Sequence, residues 1–78
     1  MNARKTKRFE IGDRVITLVP LELYYSHGYA PKGTKGVIII NKVPSVIRER
    51  ITFNCVDITW LEKKDRVAAL NSEIKHTK

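Results

Sequence analysis

The chain has 78 residues, a net charge of +7 with histidines neutral, and one cysteine, Cys55. That length holds one domain with a thin core, since a chain this short buries only about 60% of the surface its unfolded form exposes. A lone thiol argues against a disulfide scaffold, Cys55, His27 and His76 fall short of the four ligands of structural zinc, and no apolar run reaches the roughly 18 residues of a membrane span.

Residues 1–8 hold Arg4, Lys5, Lys7 and Arg8 with no acid and almost nothing to bury, which predicts a disordered basic arm. Residues 9–70 set nine basic side chains against seven acidic ones, so most of the excess charge sits at the ends of the chain. No apolar segment follows the basic start, so it does not read as a secretory leader, and a cytoplasmic protein is the expectation.

The folded domain is expected over residues 9–75, with 76–78 as a tail. Gly12-Asp13 reads as a turn, followed by a β-rich run from Arg14 to Val19 that Pro20 closes. Residues 20–34 read as a long irregular loop, with three tyrosines, Gly28, Pro31 and Gly33. A second strand is expected from Lys35 to Asn41. Within it Val37, Ile38, Ile39 and Ile40 do not alternate, which predicts cover on both faces.

A polar turn with Pro44, Ser45, Arg48, Glu49 and Arg50 leads to a long strand from Ile51 to Trp60. There Val56, Ile58 and Trp60 share one face, and Cys55, Asp57 and Thr59 the other. Phe53 is out of phase, which predicts a bulge near Asn54. Residues 61–65 read as a polar turn, Arg66 to Leu70 as a short strand, and Asn71 to Glu73 as a tight or 3₁₀ turn before Ile74. A helix over 61–74 competes, because Val67, Leu70 and Ile74 keep helical spacing among good helix formers. The pattern predicts a mostly β fold, a small barrel of about five short strands, closed or nearly closed to hide its edges.

The order Gly12-Asp13-x-Val15, Gly33-Thr34-Lys35-Gly36-Val37, Val56-x-Ile58-x-Trp60, then Val67 and Ile74 resembles SH3-like small barrels. The likeness is to the KOW-type barrels of ribosomal and transcription proteins and to barrels common in phage genomes. It implies a first strand opened by the Gly-Asp turn and a second opened by a glycine turn that lets two backbones approach. The stretch from Pro20 to Lys32 departs from it, being longer than the matching loop of a minimal KOW unit. Fold likeness says little about activity.

Two features point to a polyanion. The arm residues Arg4, Lys5, Lys7 and Arg8 can neutralise phosphates and release counterions. Tyr24, Tyr25 and Tyr29 offer faces for stacking, with His27, Lys32 and Lys35 close by in sequence. At least one of these tyrosines is expected to cover the open end of the barrel instead. Trp60 is expected in the core, and Asp57 and Asp65 solvated or paired with nearby cations. Cys55, His27 and Asp57 match no catalytic motif, and Gly33 and Gly36 lack the spacing of a phosphate-binding loop. The expectation is a non-enzymatic module that binds DNA, RNA or a ribonucleoprotein, with no cofactor, metal, membrane or small-molecule substrate. A protein-interaction module, such as an adaptor, complex subunit or small inhibitor, is the alternative, because interfaces favour Tyr and Arg anchors.

Overall fold

Short runs rich in Val, Ile and Thr, punctuated by glycine and proline, fold as strands because branched side chains suit a half-buried pleated surface. The computed structural model describes residues 8–48 and 50–77. The arm residues Arg4, Lys5 and Lys7 lie outside that range. The strands are β1 (Arg14–Thr17), β2 (Leu21–Glu22), β3 (Tyr29–Ala30), β4 (Lys35–Pro44), β5 (Thr52–Trp60), β6 (Lys63–Ala69) and β7 (Ile74–His76). A 3₁₀ turn, Asn71–Glu73, precedes β7. The fold is mostly β, as the sequence implies. No helix among the described residues is long and apolar enough to cross a membrane.

Five strands form one antiparallel sheet in the order β6-β5-β4-β1-β7, and β2 and β3 form a separate hairpin. The closed barrel is not observed among the described residues: β6 and β7 remain edges. The β2–β3 hairpin lies against the β6 edge instead, where the Tyr24 N–H donates to the Arg66 carbonyl at 2.8 Å. This hairpin also corrects the irregular loop expected over residues 20–34. It forms because Leu21, Leu23 and Ala30 are buried and hold the segment on the core. The inner face of the main sheet supplies Val15, Ile38, Val56, Ile58, Val67, Ala69 and Ile74 to the same core.

β5 has the phase expected for Val56 and Ile58, which are buried while Asp57 and Thr59 are exposed. A register break does fall at Asn54, but the extra residue lies on the facing strand. The register Ile38↔Val56, Ile40↔Cys55, Val43↔Phe53 places the extra residues on β4, and Lys42 takes a left-handed φ of 59°. Asn54 occupies the inward position instead. Its amide donates to the Ala69 carbonyl at 3.1 Å and to Asn71 Oδ1 at 2.9 Å. A buried amide is tolerated where its bonds are met, so Phe53 takes the outer face beside Val43. The first bulge turns Ile40 outward too, so Val37 and Ile40 are exposed where cover on both faces was expected.

Residues 61–74 are strand, 3₁₀ turn and strand, and the competing helix is absent. Leu61 and Glu62 both have left-handed φ, 53° and 63°, the geometry of a two-residue hairpin turn. β6 therefore starts at Lys63, three residues before Arg66, and pairs continuously with β5 from Trp60↔Lys63 to Asn54↔Ala69. The Leu70 N–H donates to Glu73 Oε1 at 2.8 Å and so ties off the 3₁₀ turn. β7 carries the sheet through His76, past the boundary drawn at residue 75. Phe9 stacks on the His76 ring at a centroid distance of 4.4 Å, and His76 Nε2 lies 2.8 Å from Asp13 Oδ2. The start of the domain is thereby fastened to its last strand.

Glycine at position 36 is a packing requirement. A Cβ there would stand 2.6 Å from both the Asp57 carbonyl oxygen and Val56 Cγ1. Only glycine lets β4 lie this close to β5.

Candidate functional site

Two buttressed loops frame a concave part of the surface. In the first, Pro31-Lys32-Gly33-Thr34 forms a turn closed by the Thr34 N–H on the Pro31 carbonyl at 3.3 Å, with Gly33 at φ 92°. A positive φ at the third position favours glycine there. Thr17 and Thr34 are both buried beneath this turn. The Thr17 hydroxyl donates to the Pro31 carbonyl at 3.0 Å and accepts the Thr34 N–H at 3.0 Å, and the Thr34 hydroxyl donates to Pro31 at 2.7 Å. Lys32 and Lys35 thus project from a fixed turn.

The second loop is held by Asp65. This side chain points inward from β6, since Asp65 pairs with Ile58. Its carboxylate accepts the Tyr25 N–H at 2.7 Å, the Ser26 N–H at 3.1 Å and the Arg66 N–H at 2.8 Å. Desolvation pushes its pKa upward, but the N–H donors of Tyr25, Arg66 and Ser26 outweigh that and hold it at about 2. Asp65 is therefore not the solvated or cation-paired acid that was expected. It accepts backbone amides from both the tyrosine loop and β6. Asp57 is paired as expected, with Arg66 Nε at 3.1 Å. The Arg66 guanidinium also stands 5.9 Å from the Tyr25 ring centre, and Tyr25 meets Tyr24 edge to face at 4.8 Å.

Between these loops and strands β1, β4, β5 and β6 lies an open groove of about 1040 Å³. Tyr25, Pro31 and Trp60 contribute its larger apolar walls, and Arg14, Lys32, Lys35, Lys64 and Arg66 its cations. Its two acids, Asp57 and Asp65, are the ones already engaged by Arg66 and by the loop amides. Five cations against two acids leave the lining with a positive surplus. The chain matches no protein-family model, no curated protein and no solved structure.

The structure brings together only some of the expected site residues. Tyr25, Lys32 and Lys35 line the groove. Tyr24 stands beside Tyr25 at its margin, while His27 is exposed in the bend of the β2–β3 hairpin and Tyr29 is exposed on β3. Arg8 is exposed at the start of the described residues. No tyrosine covers an end of the sheet, because all three are exposed, at 74% for Tyr24, 64% for Tyr25 and 63% for Tyr29. Leu21 and Leu23 do that work, which leaves the rings exposed. Trp60 is half-buried, packed against the core on one side and lining the groove on the other.

Arg14, Lys64, Arg66 and Asp65 were missed as site residues. Arg14 pairs with Val37, Val37 with Asp57, and Asp57 with Arg66, so one cross-strand row unites residues from four strands. Strand phase could have found Lys64 and Arg66 as outward neighbours of Thr59 and Asp57. Arg14 needed the sheet order.

Proposed function

We propose that this chain is a non-enzymatic, SH3-like module that binds nucleic acid, with the groove between the tyrosine loop and the Pro31–Thr34 turn as its contact surface. The likeness is supported by the meander β4-β5-β6, extended on its β4 side by β1 and then β7, with a 3₁₀ turn before the last strand. The observation that carries the functional reading is the pairing of aromatic walls with unspent cations. Tyr25 and Trp60 provide planar surface, while Arg14, Lys32, Lys35 and Lys64 stand around them and both nearby acids are consumed internally. Backbone phosphates meet the cations and bases stack on the ring of Tyr25, a combination that tolerates sequence because every base has a face. The basic segment that includes Arg4, Lys5, Lys7 and Arg8 adds to the attraction through its charge alone.

A titration of fluorescein-labelled single-stranded DNA and RNA oligomers tests this reading. Tyr25→Ala weakens binding by about 1–3 kcal/mol for a stacked base, whereas Tyr29→Ala, outside the groove, leaves it unchanged. Equal losses for the two variants would remove the groove from the account.

The second reading, a protein-interaction module, is favoured by the exposed Val37 and Ile40 on the outer sheet face. Exposed apolar side chains mark interaction surfaces where they form a contiguous patch. Affinity capture with and without nuclease separates the two, since a protein partner survives the nuclease and a nucleic-acid bridge does not.

A further inference from the structure

The β4–β5 hairpin ends in a loop that the groove does not use. Its last ladder pairs, Val43↔Phe53 and Pro44↔Thr52, have no third strand beside them among the described residues. Beyond them the Ser45 N–H donates to the Ile51 carbonyl at 2.9 Å and closes the loop. The Ser45 hydroxyl then accepts the Ile47 N–H at 3.2 Å and the Arg48 N–H at 3.0 Å. At this braced tip Val46 is 98% exposed and Ile47 88% exposed. Lys42, Arg48 and Arg50 flank them, against Glu49 as the one acid from residue 41 to residue 51.

Two adjacent core-type side chains this exposed, with cations on either side in the sequence, suit a partner that covers them. Size and charge narrow the choice. Val46 and Ile47 carry roughly seven side-chain carbons between them, well short of a single myristoyl chain, which gives only marginal membrane attachment. The surrounding cations favour a polyanion. One or two branched aliphatic side chains, flanked by cations, match the wedge that bends duplex DNA by entering between base steps from the minor groove.

We infer that the tip of the β4–β5 hairpin is a DNA-bending wedge, which inserts Val46 and Ile47 into a base step of a duplex while Lys42, Arg48 and Arg50 meet the neighbouring phosphates. This rests on the nucleic-acid reading above and adds duplex DNA to the ligands of the chain. A pyrimidine–purine step such as TA unstacks most readily and is the preferred place of entry.

The test uses the full chain and a 20-base-pair duplex with a central TA step, labelled at both ends for energy transfer. The wild-type protein shortens the end-to-end distance, as a kink of about 20–90° requires. Val46→Ser combined with Ile47→Ser abolishes the shortening and weakens duplex binding on the order of tenfold. The same variant keeps the wild-type melting temperature and affinity for a single-stranded oligomer, because both side chains are exposed and outside the groove. A variant that bends and binds the duplex like wild type overturns the wedge and leaves the groove reading standing. So does a wild-type protein that binds single strands but no duplex. Failure to bind any nucleic acid overturns both readings. Capture of the wild type, but not the variant, by phosphatidylserine vesicles, with duplex binding equal for the two, assigns the tip to a membrane surface instead.

Discussion

The Asp65 carboxylate accepts the backbone N–H of Tyr25 at 2.7 Å across 40 residues of chain. Through that bond, and the parallel one from Ser26, an acid on β6 sets the position of an aromatic ring on the groove wall. Asparagine keeps the shape of Asp65 but loses the charge and one acceptor oxygen. Asp65→Asn should lower the melting temperature more than Asp57→Asn, because the Asp57–Arg66 pair is exposed and such pairs contribute only about 0–1 kcal/mol. Thermal unfolding of the two variants checks this. Equal melting temperatures would mean that the loop amides find water as readily as they find Asp65.

The same carboxylate predicts an acid-sensitive step. Its pKa is held at about 2 in the folded protein, below an unfolded value of about 3.9. A lowered folded value gives stability that is fully present above the unfolded pKa and lost as pH falls toward the folded one. The wild type should therefore lose stability between about pH 4 and pH 2. Asp65→Asn should lose less over that window. Denaturant midpoints measured across it decide the matter, and parallel curves for the two proteins would show that Asp65 does not carry the step.

Gly36→Ala probes the approach of β4 to β5. The added methyl meets the Asp57 carbonyl and Val56 Cγ1, and one of those is backbone, so the strands must part. A cost of about 1–3 kcal/mol is expected, as for other overpacked sites. Urea unfolding measures it, and an unchanged midpoint would show that the ladder has slack at this position.

Much of this fold can be read from the residues, and its errors have identifiable physical causes. Val56, Ile58 and the turn chemistry of Asn71–Glu73 follow from local rules, because strand phase and tight turns depend on near neighbours. Asn54 could not be placed that way. An amide reads as surface until its partners, the Ala69 carbonyl and Asn71, are brought in by β6 and the 3₁₀ turn. The tyrosine loop misled for a similar reason. At least one of its rings was expected to cover the barrel end, whereas Leu21, Leu23 and the distant Asp65 anchor the loop and leave Tyr24, Tyr25 and Tyr29 outside. Of the candidate site, Lys32 and Lys35 were legible from the glycine turn they border, but Arg14 and Arg66 come together only through pairings across four strands.

Asn54 itself supplies a prediction. Asn54→Ala removes a buried amide and leaves the Ala69 carbonyl and the Asn71 side chain without its donors. About 1–3 kcal/mol of stability should be lost. Hydrogen exchange should rise first at the junction of β6 with the 3₁₀ turn. A loss of protection spread evenly over the whole sheet would contradict this local role.

The salt dependence of nucleic-acid binding tests the central claim most directly. Each phosphate contact removed flattens the slope of log K against log[salt] by about 0.7–0.9. The combined variant Lys32→Ala, Lys35→Ala and Lys64→Ala should therefore flatten the wild-type slope by about two when measured on the same oligomer. These side chains are exposed, so its melting temperature should stay near that of the wild type. A variant that binds with an unchanged slope would show that the groove cations meet no phosphate, and the groove would cease to be the nucleic-acid site.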